Sequence, residues 1–93
     1  MPAMPIEHEA LRVKSQQTLF EFLGVELKLG RTFTQCAILA YNEGHADHYK
    51  QAKRYASRAA DSVRHFVPQV LDPKIRIEVG ERLAELDRLI CTL

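Results

Sequence analysis

The sequence predicts an all-α fold, an up-down-up bundle of three helices, and three observations carry that prediction. Apolar residues recur at alternating spacings of three and four, no stretch alternates polar and apolar as a strand would, and four glycines and four prolines punctuate the chain at few points. Ninety-three residues at 46% hydrophobic and 27% charged suit a single helical domain over residues 1–93. A core of that size hides roughly 60–65% of the unfolded chain's surface, which excludes a multidomain enzyme.

Leu19, Leu23, Leu27, Gly30, Thr34, Ala37 and Tyr41 form the apolar stripe of the first helix. Asn42-Glu43-Gly44 stops it, with Gly44 suited to a left-handed cap. Ile6, Ala10, Val13, Gln17 and Phe20 extend the stripe backwards, so the helix is expected from about 5 to 43. Two signals interrupt it. Thr18-Leu19-Phe20-Glu21 reads as a capping box, and Gly24 and Gly30 each weaken a helix interior by about 1 kcal/mol relative to alanine. The first helix is therefore expected to bend or break between Thr18 and Val25, and a first segment that folds back would make a four-helix bundle.

The second helix is predicted over about 45–67, where Tyr49, Ala52, Ala56, Ala59, Val63, Phe66 and Val70 share one face. Its alanine centre lets another backbone approach closely, while Tyr49 and Phe66 supply bulk at the two ends. Val67-Pro68 ends it, with an irregular last turn through Gln69-Val70-Leu71. Asp72 and Pro73 then open a third helix over about 73–92, as N-cap and first helical residue. Val79, Leu83, Leu86, Ile90 and Leu93 mark its buried stripe. Short connections make successive helices antiparallel neighbours.

Charge limits the partners. Thirteen basic against twelve acidic groups leave a net charge of +1, so the overall field that would draw in nucleic acid or hold the chain to an anionic membrane is missing. Met1-Pro2-Ala3-Met4-Pro5 has no basic flank and no apolar run behind it, which predicts neither a secretory signal nor a transmembrane span and makes the cytoplasm the expected compartment. Cys36 and Cys91 lie far apart inside helical stretches, without zinc-knuckle or redox spacing. Buried or half-buried free thiols are the expectation, with an interhelical disulfide as the alternative.

Tyr41-Asn42-Glu43-Gly44 through Ala59 resembles the turn and second helix of a tetratricopeptide repeat, with Gly44 in the turn and Tyr49-Lys50-Gln51-Ala52, Tyr55 and Ala59 at that helix's tyrosine and alanine spacing. The likeness covers about a third of the chain. Gly44 to Tyr49 is longer than that family's turn, and no second copy follows, which argues against a stacked array. A single such hairpin followed by a third helix resembles the microtubule-interacting-and-transport domain, and that resemblance implies a peptide-binding groove between helices. The segments Leu27-Lys28-Leu29-Gly30-Arg31-Thr32-Phe33-Thr34 and Ala59 through Pro68 are similar to small uncharacterised bacterial helical proteins, which implies the fold and no activity.

Candidate chemistry is sparse. Glu43, His45, Asp47 and His48 surround one tight turn, and His45 and His48 are the weak metal candidates; Asp47 has a simpler expected role in capping the second helix. Asp61 and His65, four apart, could hydrogen-bond as a carboxylate orients an imidazole. No nucleophile is tied to them, and GxSxG, P-loop, GxGxxG and HExxH motifs are all missing, so neither catalysis nor a cofactor is expected. Lys50, Arg54 and Arg58 form a basic row expected to flank the apolar seam, suited to an acidic protein partner better than to nucleic acid. Phe20, Phe22, Val25, Leu29, Phe33, Ile38 and Leu39 lie partly off the seam of the first helix, and either a partner or a second copy would cover them. The expected function is a helical interaction module that binds a protein or peptide along a groove, with Lys50, Arg54, Arg58, Phe20 and Phe33 as the contact residues and a homodimer as one form. A small metal- or ligand-binding bundle is the alternative.

Overall fold

A computed structural model describes the backbone of residues 4–93 and the side chains of residues 15–93. Helix α1 spans Met4–Asn42, α2 spans Ala46–Phe66 and α3 spans Pro73–Cys91, with a single 3₁₀ turn over Val67–Gln69 between the last two. No strand occurs among the described residues. Pairs of neighbouring side chains run in opposite order along α1 and α2, from Phe22 beside Phe66 to Phe33 beside Tyr55 and Tyr41 beside Tyr49. The helices are therefore antiparallel, and α3 returns along both to complete the up-down-up bundle.

The expected break between Thr18 and Val25 is absent, and with it the four-helix arrangement. Thr18 lies inside α1, and Leu19, Leu23 and Leu27 hold the helix through this region. Leu23 and Leu27 are buried in the core cluster with Val63, Val70, Val79 and Leu83, and Leu19 packs against it. Burying leucines at about 1.5–3 kcal/mol each outweighs the roughly 1 kcal/mol that Gly24 costs a helix interior. Ile6, Ala10 and Val13, expected to continue the stripe, lie outside the residues whose side chains are described.

Chain ends of the helices follow local chemistry. Gly44 has a φ of +77°, a conformation that only glycine adopts without strain. Around it His45 N–H donates to the Ala40 carbonyl at 2.8 Å and Gly44 N–H to the Tyr41 carbonyl at 3.1 Å, the paired bonds of a Schellman cap. Asp72 caps α3 by accepting from Lys74 N–H at 2.9 Å, with Pro73 in the first turn. Asp47 does not cap α2. His45 occupies the N-cap without a side-chain bond and Asp47 sits in the first turn, where it faces the positive end of the helix dipole.

The connection from α2 to α3 is tied down by two polar side chains. The Gln16 amide donates to the Gln69 carbonyl at 3.1 Å and accepts from Leu71 N–H at 3.0 Å, and the Arg76 guanidinium donates to the Val70 carbonyl at 2.6 and 3.0 Å. This seats Val70 in the core.

Small residues set the spacing of the bundle's centre. Ala52, Ala56, Ala59 and Ala60 of α2 are buried, and so are Gly30, Thr34, Ala37 and Ala40 of α1. The buried Thr34 hydroxyl returns a hydrogen bond to the Gly30 carbonyl at 2.8 Å, so it costs the seam no unpaired polar group. Gly30 is where all three helices meet. A Cβ placed there would lie 2.5 Å from Leu86 Cδ2 and 3.5 Å from Ala59 Cβ, whereas one placed at Gly24 would meet nothing within 4 Å.

The two glycines are thus expected to respond oppositely to alanine. Gly24→Ala should stabilise by up to about 1 kcal/mol through helix propensity. Gly30→Ala should destabilise by about 1–3 kcal/mol, since Leu86 is 1% exposed and has little space into which to withdraw. Ala56→Leu, at a position with 0% exposure, should cost a similar amount. Urea denaturation of the three variants checks this, and matching midpoints for Gly24→Ala and Gly30→Ala would contradict the close approach.

Candidate functional site

Helix α3 covers one side of the α1–α2 pair and leaves the other open. On the covered side the Arg64 guanidinium reaches Asp87 of α3 at 2.7 and 2.8 Å, and the Tyr49 hydroxyl donates to the main-chain oxygen of Leu93. Phe20 and Ile38 of α1 also face this side: Phe20 lines a cleft with Leu71 and Ile75, and Ile38 one with Tyr41, Tyr49 and Leu93.

The open side carries two aromatic pairs. Phe22 meets Phe66 edge-on at 5.4 Å between ring centroids, and Phe33 meets Tyr55 at 5.2 Å, arrangements that favour each other beyond their buried area. Between them α1 presents Leu29 at 40% exposure. At 100° per residue, Phe22, Glu26, Leu29 and Phe33 fall in one row along the helix, with the exposed Cys36 beside it. At the end nearest the α2–α3 connection the face deepens into a groove of about 640 Å³ lined by Ser15, Gln16, Thr18, Leu19, Phe22, Phe66 and Gln69. The Tyr55 hydroxyl accepts from the Gln51 amide at 3.1 Å, and the Arg58 guanidinium lies 6.0 Å from the Tyr55 ring centre. Those polar contacts form the rim.

Several residues singled out from the sequence occupy other places. Lys50, Arg54 and Arg58 are exposed, with no carboxylate within 4.0 Å among the described residues. They do not flank the seam. Helical spacing puts them on the side of α2 opposite Ala52, Ala56 and Ala59, and Arg58 alone reaches the rim of the open face. Phe20 and Phe33 lie on different flanks of α1, so they do not form one contact surface; Phe33 belongs to the open face. The better marker was the run Phe22, Glu26, Leu29, Phe33 at spacings of four, three and four, which signals a second apolar row whose one interruption is Glu26.

Asp61 bonds Arg64 at 2.5 Å in place of His65, whose ring instead meets the Phe66 ring edge-on at 4.8 Å. The hydrogen bond from Arg64 to Asp87 holds the guanidinium above its ordinary pKa against partial desolvation, with Asp61 adding to the effect. At the α1–α2 turn the His45 and His48 rings stand 5.5 Å apart and His45 Nε2 lies 3.5 Å from Glu43. Among the described residues no group of three or more His, Cys, Asp or Glu side chains is placed to hold a metal ion. Cys36 and Cys91 are free and exposed, against the expectation of burial, because Cys36 lies beside the seam rather than in it and Cys91 closes α3. No disulfide joins them. Among the described residues no helix is long and apolar enough to cross a membrane.

No family model, curated protein or solved structure matches the chain. Its class is defined by its own fold, an all-α three-helix bundle in which, among the described residues, one face of the first two helices is uncovered.

The tie from Tyr49 to Leu93 joins α2 to the end of the chain across the covered side. Tyr49→Phe is expected to lower the unfolding free energy by about 1 kcal/mol, and an unchanged urea midpoint would show that the hydroxyl bond adds nothing.

Proposed function

We propose that the protein is a helical interaction module whose open α1–α2 face receives the apolar surface of a protein partner. One observation carries the reading: Phe22, Leu29, Phe33, Tyr55 and Phe66 line one side of the bundle, and the third helix packs on the other. A contiguous apolar strip on a small protein is uncommon unless something docks there. Aromatic side chains with satisfied polar tips, such as Tyr55, suit contact surfaces because they bury large area at low conformational cost. The tetratricopeptide-like hairpin over Tyr41–Ala59 and the likeness to a peptide-binding three-helix domain imply the same kind of role. Lys50 and Arg54, turned away from this face, are set aside as its contacts, and Arg58 is kept as a rim residue that steers an acidic edge of the partner.

Cys36 reports on occupancy without knowledge of the partner. It lies beside Leu29 and Phe33 on the open face, whereas Cys91 lies on α3, and both are exposed. In cells that express the protein at its native level, maleimide should modify Cys36 at least fivefold more slowly than Cys91, relative to the ratio for purified protein at nanomolar dilution. Leu29→Glu should abolish that protection. Equal modification in both settings would overturn the reading.

A further inference from the structure

Resting on that reading, and naming the chemistry of the partner, we infer that the open face takes an amphipathic helix whose apolar row carries one basic side chain, and that Glu26 is the residue that selects it. Glu26 is half-buried and stands in the row of Phe22, Leu29 and Phe33, about 6 Å along α1 from Phe22 and about 10 Å from Phe33. The pairing of Phe22 with Phe66 and of Phe33 with Tyr55 fixes the antiparallel register. That register sets Glu26 level with Ser62 of α2, which is also half-buried. A carboxylate and a hydroxyl thus lie at the middle of the strip, with an aromatic pair to either side. Among the described residues, no basic side chain comes within 4.0 Å of the Glu26 carboxylate. Arg58 of the rim lies against the Tyr55 ring instead.

Charge complementarity then names the occupant. A partner that covers the strip removes the water around the carboxylate, and an ionised carboxylate buried without a counter-charge costs more than the neighbouring apolar contacts return. A wholly apolar segment is therefore rejected at this point, and so is an acidic one. A second copy turned about an axis through the middle of the strip is rejected for the same reason, since it would set Glu26 against Glu26. A guanidinium fits better than an ammonium, because it is more weakly hydrated, forks onto a carboxylate and lays its flat face on aromatic rings. The covered groove shows the form of the occupant. There the hairpin receives a helix, α3, and joins it through a charged contact from Arg64 to Asp87 at 2.7 and 2.8 Å. Glu26 offers the same kind of contact with the signs exchanged, to a helix lying in the opposite groove.

Selection from a phage-displayed library of helical peptides, randomised along one face and captured on the full chain, tests the inference. Captured peptides should carry an apolar row with Arg or Lys inside it, and Leu29→Glu should abolish their capture. Replacing that basic residue of a captured peptide by glutamine should weaken its binding to the native chain about tenfold, and to Glu26→Gln less than about twofold. Glu26→Gln is nearly isosteric and should keep the native circular dichroism spectrum. Selection on Glu26→Lys should favour Asp or Glu at the same place in the peptide. Peptides whose capture depends on Leu29 but which show no basic preference, or the same preference on Glu26→Gln, would overturn the inference and leave the interaction module standing. A library that yields no peptide whose capture depends on Leu29 overturns both.

Discussion

The bundle depends on how closely α1 and α2 can approach, and the approach is set where Gly30 of α1 meets Ala59 of α2 and Leu86 of α3. With no side chain at Gly30, Leu86 can enter the seam from the third helix and remain 1% exposed. The alanines at 52, 56, 59 and 60 extend the same small-residue surface along α2, and Thr34 and Ala37 answer them on α1. Close packing at the centre gains many small dispersion contacts.

That spacing also determines what remains outside. Two helices joined through alanine and glycine have no room for aromatic rings between them, so Phe22, Phe33, Tyr55 and Phe66 are displaced to the edge, where they pair with one another. A third helix of 19 residues can pack into one of the two grooves of a helical hairpin. It takes the groove bordered by Arg64 and Tyr49, and its bonds through Asp87 and Leu93 hold it there. The uncovered groove follows from the same geometry that makes the core tight.

Much of this was legible in the residues because it is governed by local chemistry. Gly44 as a left-handed cap, Asp72-Pro73 as a helix start, Val67-Pro68 as a helix end and the alanine face of α2 each depend on a few neighbouring side chains. Continuity through Thr18 to Val25 was not legible, since it is decided by Leu19, Leu23 and Leu27 packing against Val63, Val70 and Val79, more than thirty residues distant. Local capping and glycine signals lose to that burial. The site was half legible: the surplus of apolar residues on the first helix was plain, but which flank α3 would cover was not. Phe20 and Phe33 look equivalent until the third helix is placed, and Lys50, Arg54 and Arg58 look like a border of the seam until the burial of Ala56 shows which way α2 is turned.

The central claim is that Leu86 sits on the bare backbone of Gly30 and closes the core from one side of the hairpin. Nuclear Overhauser effects in a sample with methyl-labelled leucine measure it directly. Strong cross-peaks are expected from the Leu86 methyl groups to the Gly30 α-protons, with a weaker peak between those α-protons and the Ala59 methyl group. Leu86 methyls that show contacts to Phe22 or Phe33 and none to Gly30 would place α3 in the opposite groove and contradict both the packing and the open face derived from it.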